Sequence, residues 1–353
     1  MSSAGGNMER VLRLMAEKNA SDVYLSANSP ILIKINGQLL QLSDQPLTHA
    51  QPRQLLAELL TPTQLEELED SGELNMSVGI AGVGSFRLSA FRQRGSIAAV
   101  FRCIPVVIPS LESLNVPTIL NNPILEKRGL ILMVGATGTG KSTTLAAMLE
   151  QRNQQLAGHI LTIEDPIEYV YTEEKALIDQ REVGIDTKNF ESALTAALRQ
   201  DVDVILVGEM RNPETIAAAV TAAETGHLVY STLHTNDAAQ TINRIVDSFP
   251  GNQQDQIRVQ LAGSLIAIFS QRLLPHTGGG LVPAYELLIN NAAVSNLIRE
   301  NRIHEIPSVI ETGLEQGMID LNRSLARLVQ NGDITVEDAF RHSSNPKGLE
   351  RLI

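Results

Sequence analysis

The chain has 353 residues, 43% of them hydrophobic and 19% charged, with a mean hydropathy near zero; that length accommodates two compact domains and that balance excludes extended disorder. Lys and Arg number 28 against 40 Asp and Glu, a formal charge of −12, the wrong sign for holding nucleic acid by bulk charge. The single cysteine, Cys103, excludes a disulfide scaffold and a four-thiolate zinc site, and with no tryptophan and 3% aromatics there is little for base stacking.

No apolar run reaches the roughly 20 residues of a membrane-spanning helix. The start, Met1–Asn7, is small and polar, unlike a secretory signal. The expected compartment is the cytoplasm, with any membrane role exercised through a partner. Met8, Val11, Leu12 and Met15 have the spacing of an amphipathic helix. Ser21–Ser26 alternates as a strand, and Ile31–Leu42 reads as a hairpin turning at Asn36-Gly37. Helical stretches over Pro52–Leu60 and Pro62–Asp70 each carry proline near the start. Ser85–Arg94 and Ser96–Ile104 form a strand pair joined at Gly95. Together these predict a small α+β domain over residues 1–104.

Pro105, Pro109, Pro117 and Pro123 mark a linker and hinge over 105–123. Short apolar strands then alternate with helices: Leu130–Val134, Ile160–Ile163, Val204–Val207 and Leu228–Leu233. Continuous apolar runs belong to strands buried on both faces, so residues 124–290 should hold a mostly parallel sheet covered by helices. Past Asn290 the chain reads as helical to its end, 291–353, with Leu321, Leu325, Leu328 and Val329 on one face and Asn331-Gly332 as a stop.

The segment Gly135-Ala136-Thr137-Gly138-Thr139-Gly140-Lys141-Ser142, followed by Thr143, fits the phosphate-loop pattern G-x-x-x-x-G-K-[ST], with a strand before it and a helix after it. Glycines there let backbone N–H groups converge on phosphate oxygens at a helix N-terminus. Lys141 should reach the β/γ oxygens and the Ser142 hydroxyl should bind Mg²⁺. Two acidic sites end neighbouring strands, where open α/β sheets place ligands. Ile160–Ile163 runs into Glu164-Asp165-Pro166; Asp203–Val207 runs into Gly208-Glu209, a Walker B pattern with Glu for the usual Asp. Cleavage of a γ-phosphate needs one carboxylate to orient water and one in the metal shell. Glu164 is assigned the water and Glu209 the metal, the reverse remaining open; Asp165 suits a helix cap or a surface acid.

His227 and His234 bracket the fourth strand and face opposite sides, which argues against a shared metal. His234, at the C-terminal end, is positioned to sense the γ-phosphate, with a core hydrogen-bonding role as the alternative. Arg87, Arg92, Arg94 and Arg102 lie on the small-domain strand pair. They read either as ordinary surface residues or as donors to a transferring phosphoryl group. Arg199 and Arg211, near the Glu209 strand, are further candidates.

The phosphate loop, Thr162–Glu168, Gln180–Gly184, Asp203–Arg211 and Thr225–Asn236 arrive in an order and spacing that resembles the secretion-type hexameric ATPases. There they correspond to the Walker A, aspartate-box, Walker B and histidine-box motifs. The closest resemblance is to the type IV pilus retraction ATPase family (PilT/PilU), over nearly the whole chain. Gly135–Met148, Gln151–Asn153 and Gln180–Gly184 look more like PilU. Ala293–Glu300 resembles the A-I-R-N-L-I-R-E signature of PilT, with Val294 for Ile and Ser295 for Arg. Pilus-extension and type II secretion ATPases usually carry a four-cysteine zinc element, which is missing here.

The resemblance implies a RecA-like P-loop core, a PAS-like N-terminal domain and a helical C-terminal region. It implies ATP and Mg²⁺ as ligands, with Arg87 and Arg102 reaching the nucleotide. It also implies a homohexameric ring that works on an inner-membrane pilus platform protein and associates peripherally with that membrane, with a paralogous retraction ATPase as a candidate partner. An accessory subunit dependent on a companion motor, a pilus-extension or type II secretion ATPase, a nucleic-acid translocase and a small-molecule phosphoryl transferase are the rival readings. Charge and the lack of an acceptor pocket weigh against the last two.

Overall fold

The computed structural model describes residues 6–105 and 107–353. Residues 1–5, most of the polar start, and residue 106, one position of the Pro-rich linker, lie outside the described residues. The chain divides into two compact units. The smaller comprises Met1–Val107 together with Asp165–Val170 and Glu182–Asp186; the larger comprises Ile108–Glu164, Tyr171–Arg181 and Thr187–Ile353.

The smaller unit begins with helix α1 (Asn7–Glu17), then strands β1 (Asp22–Leu25), β2 (Leu32–Ile35) and β3 (Gln38–Gln41). Helices α2 (Gln51–Leu56) and α3 (Pro62–Ser71) precede strands β4 (Glu73–Ile80), β5 (Gly84–Gln93) and β6 (Ser96–Ile104). The strands form one sheet in the order β3-β2-β1-β6-β5-β4, with every neighbouring pair antiparallel. Both predicted hairpins turn on residues with positive φ, Asn36 and Gly37 in one and Arg94 and Gly95 in the other, the backbone a tight two-residue hairpin demands. Thr61 and Gln64 close a reciprocal capping box at the start of α3.

Strand alternation sorts the two faces of this sheet. Leu74, Met76, Val78, Phe86, Leu88 and Phe101 join Met8, Leu12 and Met15 of α1 in the core. On the other face the register aligns Lys34, Asp22, Arg102, Arg87 and Ser77 in one row across β2, β1, β6, β5 and β4.

The larger unit starts with a short helix α4 (Asn121–Ile124), then alternates β7 (Gly129–Val134), α5 (Lys141–Gln155), β8 (Gly158–Glu164), β9 (Ala176–Glu182), α6 (Phe190–Ala197), β10 (Val204–Val207), α7 (Pro213–Glu224) and β11 (Leu228–Leu233). Two helices, α8 (Ala238–Asp247) and α9 (Gly251–Ser264), lead to β12 (Leu265–Pro275) and β13 (Leu281–Ile289). The sheet order is β13-β12-β7-β11-β10-β8-β9. The run β12, β7, β11, β10, β8 is parallel throughout, and β13 pairs antiparallel to β12. The four apolar runs of the sequence are thus β7, β8, β10 and β11, and the mostly parallel α/β fold stands.

After β13 the chain is helical: α10 (Ala292–Arg299), α11 (Ile306–Thr312), α12 (Leu321–Gln330), α13 (Val336–His342) and α14 (Pro346–Glu350). Leu321 and Leu325 of α12 pack with Val282 and Ala284 of β13 and with Ala339 and Leu349. No described helix is long and apolar enough to cross a membrane.

Candidate nucleotide site

Strand β7 is buried along its whole length and delivers the chain into the glycine-rich loop at Gly135. Gly135 and Gly140 have φ of 145° and 84°, backbone that side chains resist. Space forbids a side chain as well. A Cβ at Gly135 would lie 2.5 Å from the Gln271 carbonyl oxygen and 2.7 Å from Thr139 Oγ1, and one at Gly140 would lie 2.8 Å from Gln271 Nε2. The loop is therefore pressed onto β12 at both ends.

Lys141 opens α5 and is buried; its ammonium donates to the carbonyl oxygens of Gly135 and Ala136, each at 2.8 Å, inside the curl of the loop. Ser142 and Thr143 follow in the first turn, where helix N–H groups lack intrahelical acceptors and the dipole favours an anion. One residue here escaped sequence reasoning. Gln271 donates from Nε2 to the Thr139 carbonyl at 2.9 Å and accepts at Oε1 from Thr144 Oγ1 at 2.9 Å. It braces the loop and the helix that follows from a strand more than a hundred positions away.

Adjacent parallel strands put their C-terminal ends on one rim, so β7, β11, β10 and β8 present, in that spatial order, the phosphate loop, His234, Glu209 and Glu164. Glu164, the last residue of β8, is 8% exposed. Its Oε1 accepts from the Thr162 hydroxyl at 2.7 Å and from Gln180 Nε2 at 3.3 Å. The next strand is seated against it by Gly208, whose N–H donates to the Ile163 carbonyl at 2.8 Å. A Cβ on Gly208 would come within 3.4 Å of Glu164 Cα.

Glu209 lies between an arginine and a histidine: Arg211 Nε is 2.8 Å from Oε2 and His234 Nε2 is 3.2 Å from Oε1. His234, Glu209 and Arg211 thus form one cluster. His227 is at the far end of β11, with Nδ1 3.1 Å from the Ala222 carbonyl. Arg199 is exposed beyond α6.

In the smaller unit, Arg87 and Arg102 are direct cross-strand partners on β5 and β6. Like charges placed so are unfavourable unless balanced, and each has its own carboxylate. Arg102 Nε donates to Asp22 Oδ1 at 2.8 Å, and Asp22 also accepts from the Ser21 hydroxyl at 2.8 Å. Arg87 Nη1 lies 3.9 Å from Glu168 Oε1. Arg92 instead donates to the Glu69 carbonyl at 3.4 Å, and Arg94 is spent in the hairpin turn. Of the four arginines, the row brings together Arg87 and Arg102.

A family model described as "Type II/IV secretion system protein" matches residues 7–279. The type IV pilus ATPase PilU of Pseudomonas aeruginosa is 42% identical over 346 residues, 98% of this chain and 91% of its own length. The type IV pilus retraction ATPase PilT of the same organism is 43% identical over 343 residues, 97% of this chain and all of its own. Among solved structures, the pilus retraction motor PilT with bound ADP aligns at a TM-score of 0.90 with 47% identity, covering 97% of this chain and 98% of that one. The Legionella pneumophila ATPase DotB aligns at 0.85 with 28% identity over 94% and 93% of the two chains.

Proposed function

The chain belongs to the type II/IV secretion system family and, within it, to the type IV pilus retraction ATPases, and we propose that it is a hexameric motor in which ATP hydrolysis drives pilus retraction. The observation that carries this reading is the single rim of the large sheet. It carries a glycine-constrained loop with a buried lysine on the same edge as Glu209 and Glu164, which end two adjacent parallel strands.

In the proposed cycle the N–H groups of Gly135–Thr143 receive the phosphates of ATP, and Lys141 moves its ammonium from the loop carbonyls to the β/γ oxygens. The Ser142 hydroxyl would give Mg²⁺ one of the hard oxygen donors it takes, and the Glu209 carboxylate would hold the ion through water. Bound there, the ion would neutralise charge on the phosphates. His234 and Arg211 hold the Glu209 carboxylate in place. Glu164, fixed by Thr162 and Gln180, orients the attacking water. Arg87 and Arg102 stabilise charge on the transferring phosphoryl group.

The Pro-rich segment 105–123 serves as the hinge, and rotation about it in a homohexameric ring acts on a platform protein at the cytoplasmic face of the inner membrane. A second reading, an accessory ATPase that depends on a paralogous companion, is favoured by one observation. Ser295, where the PilT signature has arginine, turns its hydroxyl into the fold and donates to the Ala262 carbonyl at 2.9 Å. Turnover by the purified protein alone would count against it.

Two measurements test the main reading. Deletion of the gene should leave cells hyperpiliated and immobile; bald cells would overturn retraction. Glu164→Gln should keep nucleotide affinity and lower turnover by about 100-fold or more. Parental turnover in that variant would remove Glu164 from its role.

A further inference from the structure

Glu182 is 1% exposed, yet it belongs to no step of the cycle above. Burying an ionised carboxylate is costly unless hydrogen bonds compensate. Both of its oxygens are engaged within the smaller unit. Oε1 accepts from the Ser77 N–H at 2.6 Å and Oε2 from the Ile167 N–H at 3.1 Å. Its own N–H donates to Asp186 Oδ2 at 2.8 Å. The side chain therefore joins the outer strand β4 to the loop that follows Glu164, while the backbone N–H of the same residue is held by the turn after β9.

The chain leaves the larger unit immediately after Glu164, spends Asp165–Val170 in the smaller one, and returns there again for Glu182–Asp186. Ser77, the residue that donates to Glu182, is also the β4 member of the row that carries Arg87 and Arg102. Glu168, in the same loop, is the carboxylate beside Arg87.

We propose that Glu182 is a positioning residue for hydrolysis. It makes the loop after Glu164 part of the body that bears the two arginines, so that a shift of that body is transmitted through the Glu164–Asp165 peptide to the Glu164 carboxylate. The proposal rests on Glu164 as the group that orients water. Binding of the phosphates, held by the loop at Lys141, is independent of it.

The test uses the full-length protein and two variants that remove one bond each. Glu182→Gln keeps the shape but can accept through only one of its two terminal atoms. Ser77→Pro deletes the N–H of an outer strand on the side pointing away from β5, a position where proline is tolerated. Each variant should lower kcat about 10- to 100-fold, the cost of a small misplacement of a catalytic group. ADP affinity should stay within about twofold and the fold should stay intact by circular dichroism. Amide exchange over residues 165–170 should quicken, and the double variant should be no slower than the worse single one.

Parental kcat in a folded Glu182→Gln protein, or a loss of kcat matched by an equal loss of ADP affinity, would overturn the proposal. So would a Ser77→Pro protein with unaltered turnover. Failure of the underlying assignment is recognised separately: Glu164→Gln would then turn over normally while Glu182→Gln remained slow, which excludes transmission through Glu164.

Discussion

Replacing Gln271 with alanine tests whether the phosphate loop is held from β12. The substitution removes two hydrogen bonds, to the Thr139 carbonyl and from the Thr144 hydroxyl, each 2.9 Å long. A neutral hydrogen bond contributes about 0.5–1.5 kcal/mol net, and a buried polar group left without a partner costs about 1–3 kcal/mol. Thr144 is 1% exposed, so the orphaned hydroxyl belongs to the costly class. The expected loss of stability is about 2–4 kcal/mol.

The share that reaches nucleotide binding is the Thr139 bond, about 1 kcal/mol, which weakens ADP binding roughly fivefold. Titration calorimetry with ADP and urea unfolding measure the two quantities. A companion variant separates them. Gln271→Leu with Thr144→Val replaces both buried partners by apolar groups and should recover most of the stability. It cannot restore the acceptor contact at Thr139, so ADP affinity should stay low. A Gln271→Ala protein with parental stability and ADP affinity within twofold would refute the bracing role.

Two more outcomes follow from buried acids. Burial raises the Glu286 carboxyl to about 7 from its ordinary 4.5, with Asp237 and Asp320 adding to the rise and the Ala238 N–H and Arg272 opposing it. Between those two values the unfolded chain has released this proton and the folded chain has not, so folding stability falls as pH rises from 4.5 to 7 and the penalty is constant above. Glu286→Gln keeps an acceptor for Ala238 and should be more stable than the parent at pH 8, by on the order of 3 kcal/mol. The difference should shrink towards pH 4.5; one independent of pH would contradict the account. Arg102→Ala strips the cation from Asp22, whose side chain is 3% exposed. Because the guanidinium itself is 66% exposed, the expected cost is about 1–2 kcal/mol by urea unfolding. Adding Asp22→Asn should return part of it, and a cost that the second change enlarges would count against the pairing.

What the sequence made legible is what local physics determines. The loop at Gly135–Ser142 was readable because backbone geometry and a fixed spacing dictate its residues, and the four parallel strands because burial on both faces leaves an unbroken apolar run. Strand β4 was missed although Leu74, Met76 and Val78 alternate, since Glu, Asn, Ser and Gly dilute the run between them. Strands β12 and β13 were missed because a long apolar stretch does not by itself separate strand from buried helix. At the site, Glu164, Glu209 and His234 announced themselves at strand ends, and the structure adds that His234 and Glu209 are in contact. Gln271 and Glu182 gave no such signal. Each acts on residues that only the fold brings near, Gln271 through partners across the sheet and Glu182 through Ser77, 105 positions away.

Arg87 and Arg102 stand side by side but are not equally available. Arg102 is tethered to a sequestered carboxylate at 2.8 Å, and pulling it away would strand that charge in a dry place. Arg87 faces Glu168 across 3.9 Å, with both side chains more than two-fifths open to water, where such a pairing dissolves at almost no cost. In a ring working as proposed, Arg87 would therefore be the mobile hand that swaps one anion for another at each turn of the cycle. Arg102 would be the fixed post beside it, lending its field without leaving its place.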